Sequence, residues 1–144
     1  MSSIYEKVSD FTNRYPASIA FRLKRHCSVI EKHLNPDEEV RYAFCGQHNN
    51  SPTQIFDTCV VAITNERILV AQKRIFFGYL LTSVTPDLYN DMEVISNIIW
   101  ATVVIDTVKE TIYISNLSKR ALTEIETNIT KNMMEAKKAY KGSN

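Results

Sequence analysis

Apolar residues recur every three or four positions at the start of the chain, which is the spacing of an amphipathic helix. The two apolar stripes consist of Ile4, Val8, Phe11 and Tyr15, and of Ile19, Leu23, Cys27, Ile30 and Leu34. Pro16 ends the first helix, Ser18 is placed to cap the second, and Asn35 with Pro36 stops it. Residues 1–35 are therefore predicted to form a helical extension whose two apolar faces must be buried.

From Val40 onwards the apolar period changes to two, which indicates β-strands. The predicted strands are residues 40–45, 56–63, 67–73, 77–85, 92–96, 102–108 and 111–115. In the turn at 64–66, Asn65 is predicted to adopt a positive φ. Strands this short, with no long helix between them, predict a closed or nearly closed antiparallel sheet.

A long apolar stripe follows the last predicted strand and predicts a terminal helix from 118 to about 139. The stripe consists of Leu122, Ile125, Ile129, Met133, Ala136 and Tyr140. Ser118 is the predicted N-cap, and Leu117 is predicted to pack on Leu122. Because the stripe persists for about five turns, we expect this helix to cover one opening or edge of the sheet, with Ile125 and Ile129 buried.

Seven short strands followed by one long helix form an order that resembles the pleckstrin-homology (PH) architecture. The local sequence resembles the bacterial PH-like domains over residues 36–140, on the motifs NPDEEV at 35–40, AITNERIL at 62–69 and IYISNL at 112–117. The resemblance implies an α+β fold: a seven-stranded antiparallel barrel or sandwich capped by a C-terminal helix. We expect the helical extension at 1–35 and the PH-like domain at 36–144.

The resemblance also implies a function class. PH-like domains are binding or assembly modules without catalysis, and some bacterial relatives are similar to ring-forming subunits. The residues that show the resemblance are turn and core positions, so they do not identify a ligand-binding motif in this sequence.

Composition excludes several other classes of protein. The three glycines cannot form a P-loop or a dinucleotide-binding fingerprint. The longest apolar stretch, at 98–105, is far shorter than the roughly 20 residues of a membrane-spanning helix. Three widely spaced cysteines without a C-x-x-C pair, and no secretory signal, predict a reduced, cytoplasmic protein.

Histidine, cysteine and carboxylate side chains do not form a catalytic or metal-binding pattern. His26 and His33 lie about 10.5 Å apart along the second predicted helix, so one zinc ion cannot bind both. Cys45 and His48 have the spacing of a nucleophile and its base, but Cys45 follows the strand pattern as a small core residue. The acidic residues of 87–93 lack the ligand spacing of a calcium loop. We therefore expect no catalytic residue, no metal and no cofactor.

The candidate binding surface is the junction 73–79, where cations meet aromatic side chains. Lys73 and Arg74 attract lipid phosphates at about 1 kcal/mol each, and an outward-pointing Phe76 inserts into the membrane interface. In the alternative interpretation, one of Phe76 and Phe77 packs in the core and the other lies at its rim, while Lys73 and Arg74 protect a sheet edge. Two cations are fewer than the roughly four to eight of polybasic sites, so at most weak, salt-sensitive membrane contact is expected.

Two functional hypotheses follow. The first is a non-catalytic cytoplasmic module that binds protein or its own copies through the N-terminal helices and a barrel edge. The alternative is a peripheral membrane module that binds anionic headgroups through the junction 73–79. Nucleic acid is not an expected partner, because the cations do not cluster over a wide face.

Overall fold

The predicted order of two helices, seven strands and a terminal helix is confirmed in the computed structural model, which describes residues 3–50 and 55–142. The elements are α1 Ile4–Arg14, α2 Leu23–His33, β1 Val40–Gln47, β2 Thr58–Thr64, β3 Ile68–Lys73, β4 Tyr79–Val84, β5 Tyr89–Ser96, β6 Trp100–Thr107, β7 Thr111–Ser118, a 3₁₀ turn Lys119–Ala121 and α3 Leu122–Gly142. The outermost residues of the two expected regions, at 1–2 and 143–144, lie outside the described part of the chain.

The strands form an antiparallel sheet in the order β4-β3-β2-β1-β7-β6-β5. β1 and β7 are joined at a single residue pair, Gln47 with Ser115, so the sheet consists of two halves that meet at one corner. β4 and β5 are at opposite ends of the order. The sheet is therefore a half-barrel with two free edges, which agrees with the closed or nearly closed antiparallel sheet expected from the sequence.

α3 covers the half-barrel as its apolar stripe predicted. Ile125 and Ile129 are both fully buried, and the helix packs against β5, β1 and β2. The predicted N-cap is wrong: the 3₁₀ turn precedes the helix, and the Ser118 side chain makes no capping hydrogen bond. Ser118 is the last residue of β7, and its backbone N–H donates to Ser18 Oγ at 2.8 Å.

The two N-terminal helices pack on the sheet of their own chain. α1 lies against β1, with the Phe11 ring 6.0 Å from the Phe44 ring, and α2 lies against β2 and β3. Every residue of β2 is buried, because the sheet is covered on both faces. The buried stripe residues are Ile4, Val8, Phe11, Cys27 and Ile30. The apolar faces of both helices are thus filled within the chain.

A short irregular segment, residues 17–22, lies between the two helices and is called the strap below. Its backbone bonds to the sheet: Ile19 N–H donates to Asn116 O at 3.0 Å, and Phe21 N–H donates to Thr58 Oγ1 at 3.0 Å. The prediction that Ser18 caps α2 is wrong, since the helix begins at Leu23 after Arg22, whose φ is +56°. Partners in the sheet replace the helical hydrogen bonds that the local pattern favoured.

The turn between β2 and β3 also differs from its prediction. Asn65 does not have a positive φ; among the described non-glycine residues, Arg22 and Asn116 do. Asn65 instead uses its side chain, because its Oδ1 accepts from Glu39 N–H at 2.8 Å. Its backbone N–H donates to Glu39 O at 3.1 Å. The asparagine is therefore suited to this turn by hydrogen bonding across strands.

Candidate functional site

The junction 73–79 forms an exposed loop at the end of the β3–β4 hairpin. Arg74 N–H donates to Gly78 O at 3.1 Å, and Gly78 has a φ of +72°, which favours glycine. Phe76 and Phe77 are 86% and 87% exposed, and the adjoining Ile75 is 61% exposed. The interpretation in which one phenylalanine enters the core is therefore wrong: both point outward.

Two other segments extend this surface. Phe21 and Arg22 come from the strap, and Phe56 comes from the residues before β2; Phe56 is 79% exposed. Together with the loop they line a cavity of about 250 Å³. We call the whole surface the aromatic–basic tip, which consists of Phe21, Arg22, Phe56, Lys73, Arg74, Ile75, Phe76 and Phe77.

Two histidines of α2 hold the ends of the loop. Buried His26 accepts the Lys73 N–H through Nδ1 at 2.7 Å, and His33 Nε2 lies 3.0 Å from the Tyr79 hydroxyl. Burial, followed by the positive charge of Arg22, lowers the pKa of His26 to about 4. His26 is therefore neutral at neutral pH and free to accept. Side-chain contacts from α2 therefore hold both ends of the loop, although its outermost side chains are in solvent.

The charge of the tip is uniformly positive. Arg22, Lys73 and Arg74 belong to it, and no acidic residue occurs in the strap or in residues 72–80. Asp57 is adjacent to Phe56, and its Oδ2 accepts from Asn49 Nδ2 at 2.8 Å. The surface therefore combines exposed apolar area with three cations and one neighbouring carboxylate, which is an arrangement suited to an anionic partner with an apolar layer.

The other candidate residues are placed in structural roles. Cys45 is fully buried, and burial raises the pKa of its thiol to about 12, which leaves it protonated and unreactive. Asp91 and Glu93 are exposed on β5, while Asp87 lies outside the strands. Within residues 3–50 and 55–142, no group of three or more His, Cys, Asp or Glu side chains is arranged to hold a metal ion.

Phe21, Arg22 and Phe56 were missed as surface residues by the reasoning from sequence. The apolar pattern assigned Phe21 and Arg22 to a helix and Phe56 to a strand, and neither assignment indicates that these residues lie beside the junction. Their proximity depends on contacts such as the Phe21–Thr58 hydrogen bond, which joins residues 37 positions apart. No local signal indicates such a contact.

Comparison with known families agrees with this fold. Residues 34–131 match the family described as the bacterial PH domain, so the chain belongs to that family. PH domains in general are modules that mediate protein or lipid interactions.

A solved structure is similar as well: the crystal structure of a pleckstrin homology domain from Shewanella amazonensis SB2B. The match has a TM-score of 0.50 and 13% sequence identity, and it covers 78% of this chain and 88% of that chain. At this identity the likeness shows the fold alone. No curated protein sequence matches the chain. None of the helices in the described residues has the length and apolar character needed to cross a membrane.

Proposed function

We propose that this protein is a non-catalytic, peripheral membrane module that binds anionic lipid surfaces through the aromatic–basic tip. One observation carries the proposal: three consecutive apolar residues, 75–77, are exposed at the end of a hairpin and adjoin the cations Lys73 and Arg74. Large apolar side chains that are exposed together at a hairpin loop are typical of an interaction site. The three cysteines are free and buried, which fits a reducing, cytoplasmic location.

The apolar contribution is the larger part of the expected binding free energy. Each inserted Phe or Ile side chain contributes about 1.5–3 kcal/mol. Each cation contributes about 1 kcal/mol near an anionic surface, and the Debye length of about 8 Å at physiological salt limits that attraction to close approach. The sequence alone indicated weak binding because it offered two cations and an unresolved Phe76. With three apolar side chains outside, we expect binding that survives physiological salt.

Replacing both exposed phenylalanines tests this function. In Phe76→Ser/Phe77→Ser, vesicle binding is expected to fall at least about a hundredfold, because two inserted phenyl groups contribute roughly 3–6 kcal/mol. Co-sedimentation with phosphatidylserine-containing vesicles measures the change. The variant Lys73→Glu/Arg74→Glu should bind these vesicles more weakly than the parent, and its binding should depend less on the salt concentration. Met134→Ser is the matched control, since Met134 is 57% exposed on α3. Parent protein that does not sediment with these vesicles, or a double phenylalanine variant that binds like the parent, would overturn the proposal.

Self-association is a second candidate, favoured by the free edge of β4. This strand is at the end of the sheet order, and its sequence, YLLTSV, contains no charge and no proline. Charged residues and prolines normally protect the edge of a sheet from pairing with a strand of another molecule. The buried stripes of α1 and α2 leave the sheet edges as the surface for this hypothesis, and β5, at the other edge, carries Asp91 and Glu93.

Leu80→Lys tests the second candidate. Leu80 is 41% exposed on β4, so a lysine there places a charge on the edge without entering the core. If copies pair through β4, light scattering coupled to size exclusion should show an oligomer for the parent and a monomer for the variant. A parent that elutes as a monomer at all accessible concentrations would contradict self-association through this edge.

A further inference from the structure

The cavity of the aromatic–basic tip is small and is lined by cations. Arg22, Lys73 and Arg74 all line it, and its volume is about 250 Å³. Pockets that hold drug-sized ligands measure roughly 300–1,000 Å³. The cavity is therefore of a size for a small chemical group, and three cations around one cavity favour a group that is anionic.

These three cations form no ion pair within the part of the chain that the structure describes. Each ion pair among the described residues involves other side chains. Asp57 does not line the cavity, and its Oδ2 accepts from Asn49 Nδ2 at 2.8 Å. The first turn of α2, which follows Arg22, contains no acidic residue. The positive charge at the cavity is therefore available to a bound anion.

A buried hydroxyl adds a hydrogen-bond donor to the cavity. Thr58 is 4% exposed, and its Oγ1 accepts from Phe21 N–H and from Gln47 Nε2, both at 3.0 Å. A hydroxyl has two acceptor positions and one proton, so both acceptor positions are used and the proton is left to donate. Among the described residues, this hydroxyl donates no hydrogen bond of its own. Because Thr58 lines the cavity, an anion bound there is a suitable acceptor.

The cavity depends on residues that precede the family match. Phe21, Arg22 and His26 line it, and all three come before residues 34–131. Arg22 has a φ of +56°, which is uncommon for a residue other than glycine, and it joins the strap to α2. The site is therefore formed by the N-terminal extension together with the β3–β4 hairpin, and the matched domain alone does not contain it.

We propose that this cavity binds a phosphate monoester group, and that the group is the headgroup of a membrane lipid. The inference rests on the proposed membrane function and names the headgroup chemistry for it. A phosphate monoester carries a charge of about −1.5 to −2 and three strong acceptor oxygens, which suits three cations and a hydroxyl donor. A lipid is the favoured source because Ile75 and Phe76, 61% and 86% exposed, line the same cavity and provide contact with an apolar layer.

Vesicles of equal surface charge test the headgroup chemistry. One set contains phosphatidic acid, whose headgroup is a phosphate monoester, and the other contains phosphatidylserine, with the lipid contents adjusted to the same zeta potential. The parent is expected to bind the phosphatidic acid vesicles at least about tenfold more tightly, because charge-assisted hydrogen bonds in the cavity add to the attraction of the surface. Equal partition coefficients in the two sets would overturn this inference and leave the proposed membrane function intact.

Arg22→Asn tests whether the preference arises in the cavity. Asparagine tolerates a positive φ, so the variant removes the cation and keeps the backbone conformation. Binding to both vesicle sets should weaken, and the preference for phosphatidic acid should fall to about twofold or less; Arg74→Gln, in the exposed loop, should behave in the same way.

Arg25→Gln is the matched control, because Arg25 is exposed on α2, does not line the cavity and loses the same charge. It should keep the preference of the parent. A preference that both cavity variants retain would contradict the proposed site. Circular dichroism melting of each variant ensures that folded proteins are compared.

A soluble ester distinguishes a lipid headgroup from a free phosphate. Glycerol 3-phosphate, which has the phosphate group of phosphatidic acid without its acyl chains, is titrated into the parent in a calorimeter. Phosphatidic acid vesicles should bind at least about a hundredfold more tightly than this ester, because apolar insertion of residues 75–77 adds to the headgroup contact. Equal affinities would overturn the lipid source. Binding of the ester without binding to vesicles would overturn the membrane function as well, and a parent that binds neither would overturn both proposals.

Discussion

Replacing Ile129 by aspartate is expected to unfold the protein. Ile129 is fully buried on the face of α3 that covers the half-barrel. An unpaired carboxylate at this position costs several kcal/mol, which is comparable with the roughly 5–15 kcal/mol that stabilises a domain. Far-ultraviolet circular dichroism at increasing temperature measures the effect, and no cooperative transition is expected near the melting temperature of the parent.

Thr130→Asp is the control for this prediction. Thr130 is the next residue of the same helix and is exposed, so its substitution tests helix propensity and charge without changing the core. We expect Thr130→Asp to melt near the parent. If Ile129→Asp melted within a degree or two of the parent, the placement of α3 over the sheet would be wrong.

Replacing Arg67 by methionine is expected to lower the free energy of unfolding by about 3–5 kcal/mol, because it leaves a buried charge without its partner. The Glu38 side chain is fully buried and lies against the Arg67 guanidinium, with Nε to Oε2 and Nη2 to Oε1 both at 2.9 Å. Arg67 Nη2 also donates to His33 O at 2.9 Å, so the pair ties the end of α2 to the sheet. Urea denaturation of the parent and variant measures the difference.

A nearby exposed ion pair provides the control. Arg41 and Glu39 approach to 3.7 Å with side chains 47% and 70% exposed, and such pairs contribute about 0–1 kcal/mol. Arg41→Met should therefore change stability little. The double variant Arg67→Met/Glu38→Leu should recover most of the loss, since it removes the stranded carboxylate as well.

The pH dependence of stability distinguishes this cause from a packing defect. Burial alone would raise the pKa of Glu38, but hydrogen bonds from Arg67 and Thr64 outweigh it and hold the pKa below its ordinary value. The pair therefore stabilises the protein above the unfolded pKa of about 4.3, and this contribution is lost as the pH falls through the lower folded pKa. The difference in the free energy of unfolding between the parent and Arg67→Met should therefore become smaller in acid. A difference that stays constant from neutral to acid pH would indicate lost packing instead.

The helices and strands could be predicted because burial imposes a short period on the chain. Ile112 and Ile114 are buried in β7 while the residue between them is more exposed, as expected for inward positions of a strand. Ile125 and Ile129 follow the helical period and are fully buried in α3. These signals depend on residues within one or two turns of each other, so the sequence alone contains them.

The errors occur where a distant segment competes with a local preference. Ser18 has the residue type of a helix cap, yet its hydroxyl accepts from Ser118 N–H, 100 positions away. Asn65 has the residue type of a left-handed turn, yet its side chain binds the backbone at Glu39. A hydrogen bond to a sheet satisfies a polar group as well as a local one does, so residue type does not reveal which one forms.

The sequence by itself determined the class of fold and one part of the surface, the cations and aromatics of the junction 73–79. Only the tertiary structure decided that Phe76 and Phe77 are exposed, because a strand period cannot be carried across a turn. It also decided which segments surround them. The neighbours of the junction come from the strap and from the residues before β2, and the strap continues to the β5–β6 turn. Residues that are far apart in the sequence come together only when the chain folds, and no local pattern in the sequence predicts which of them will meet.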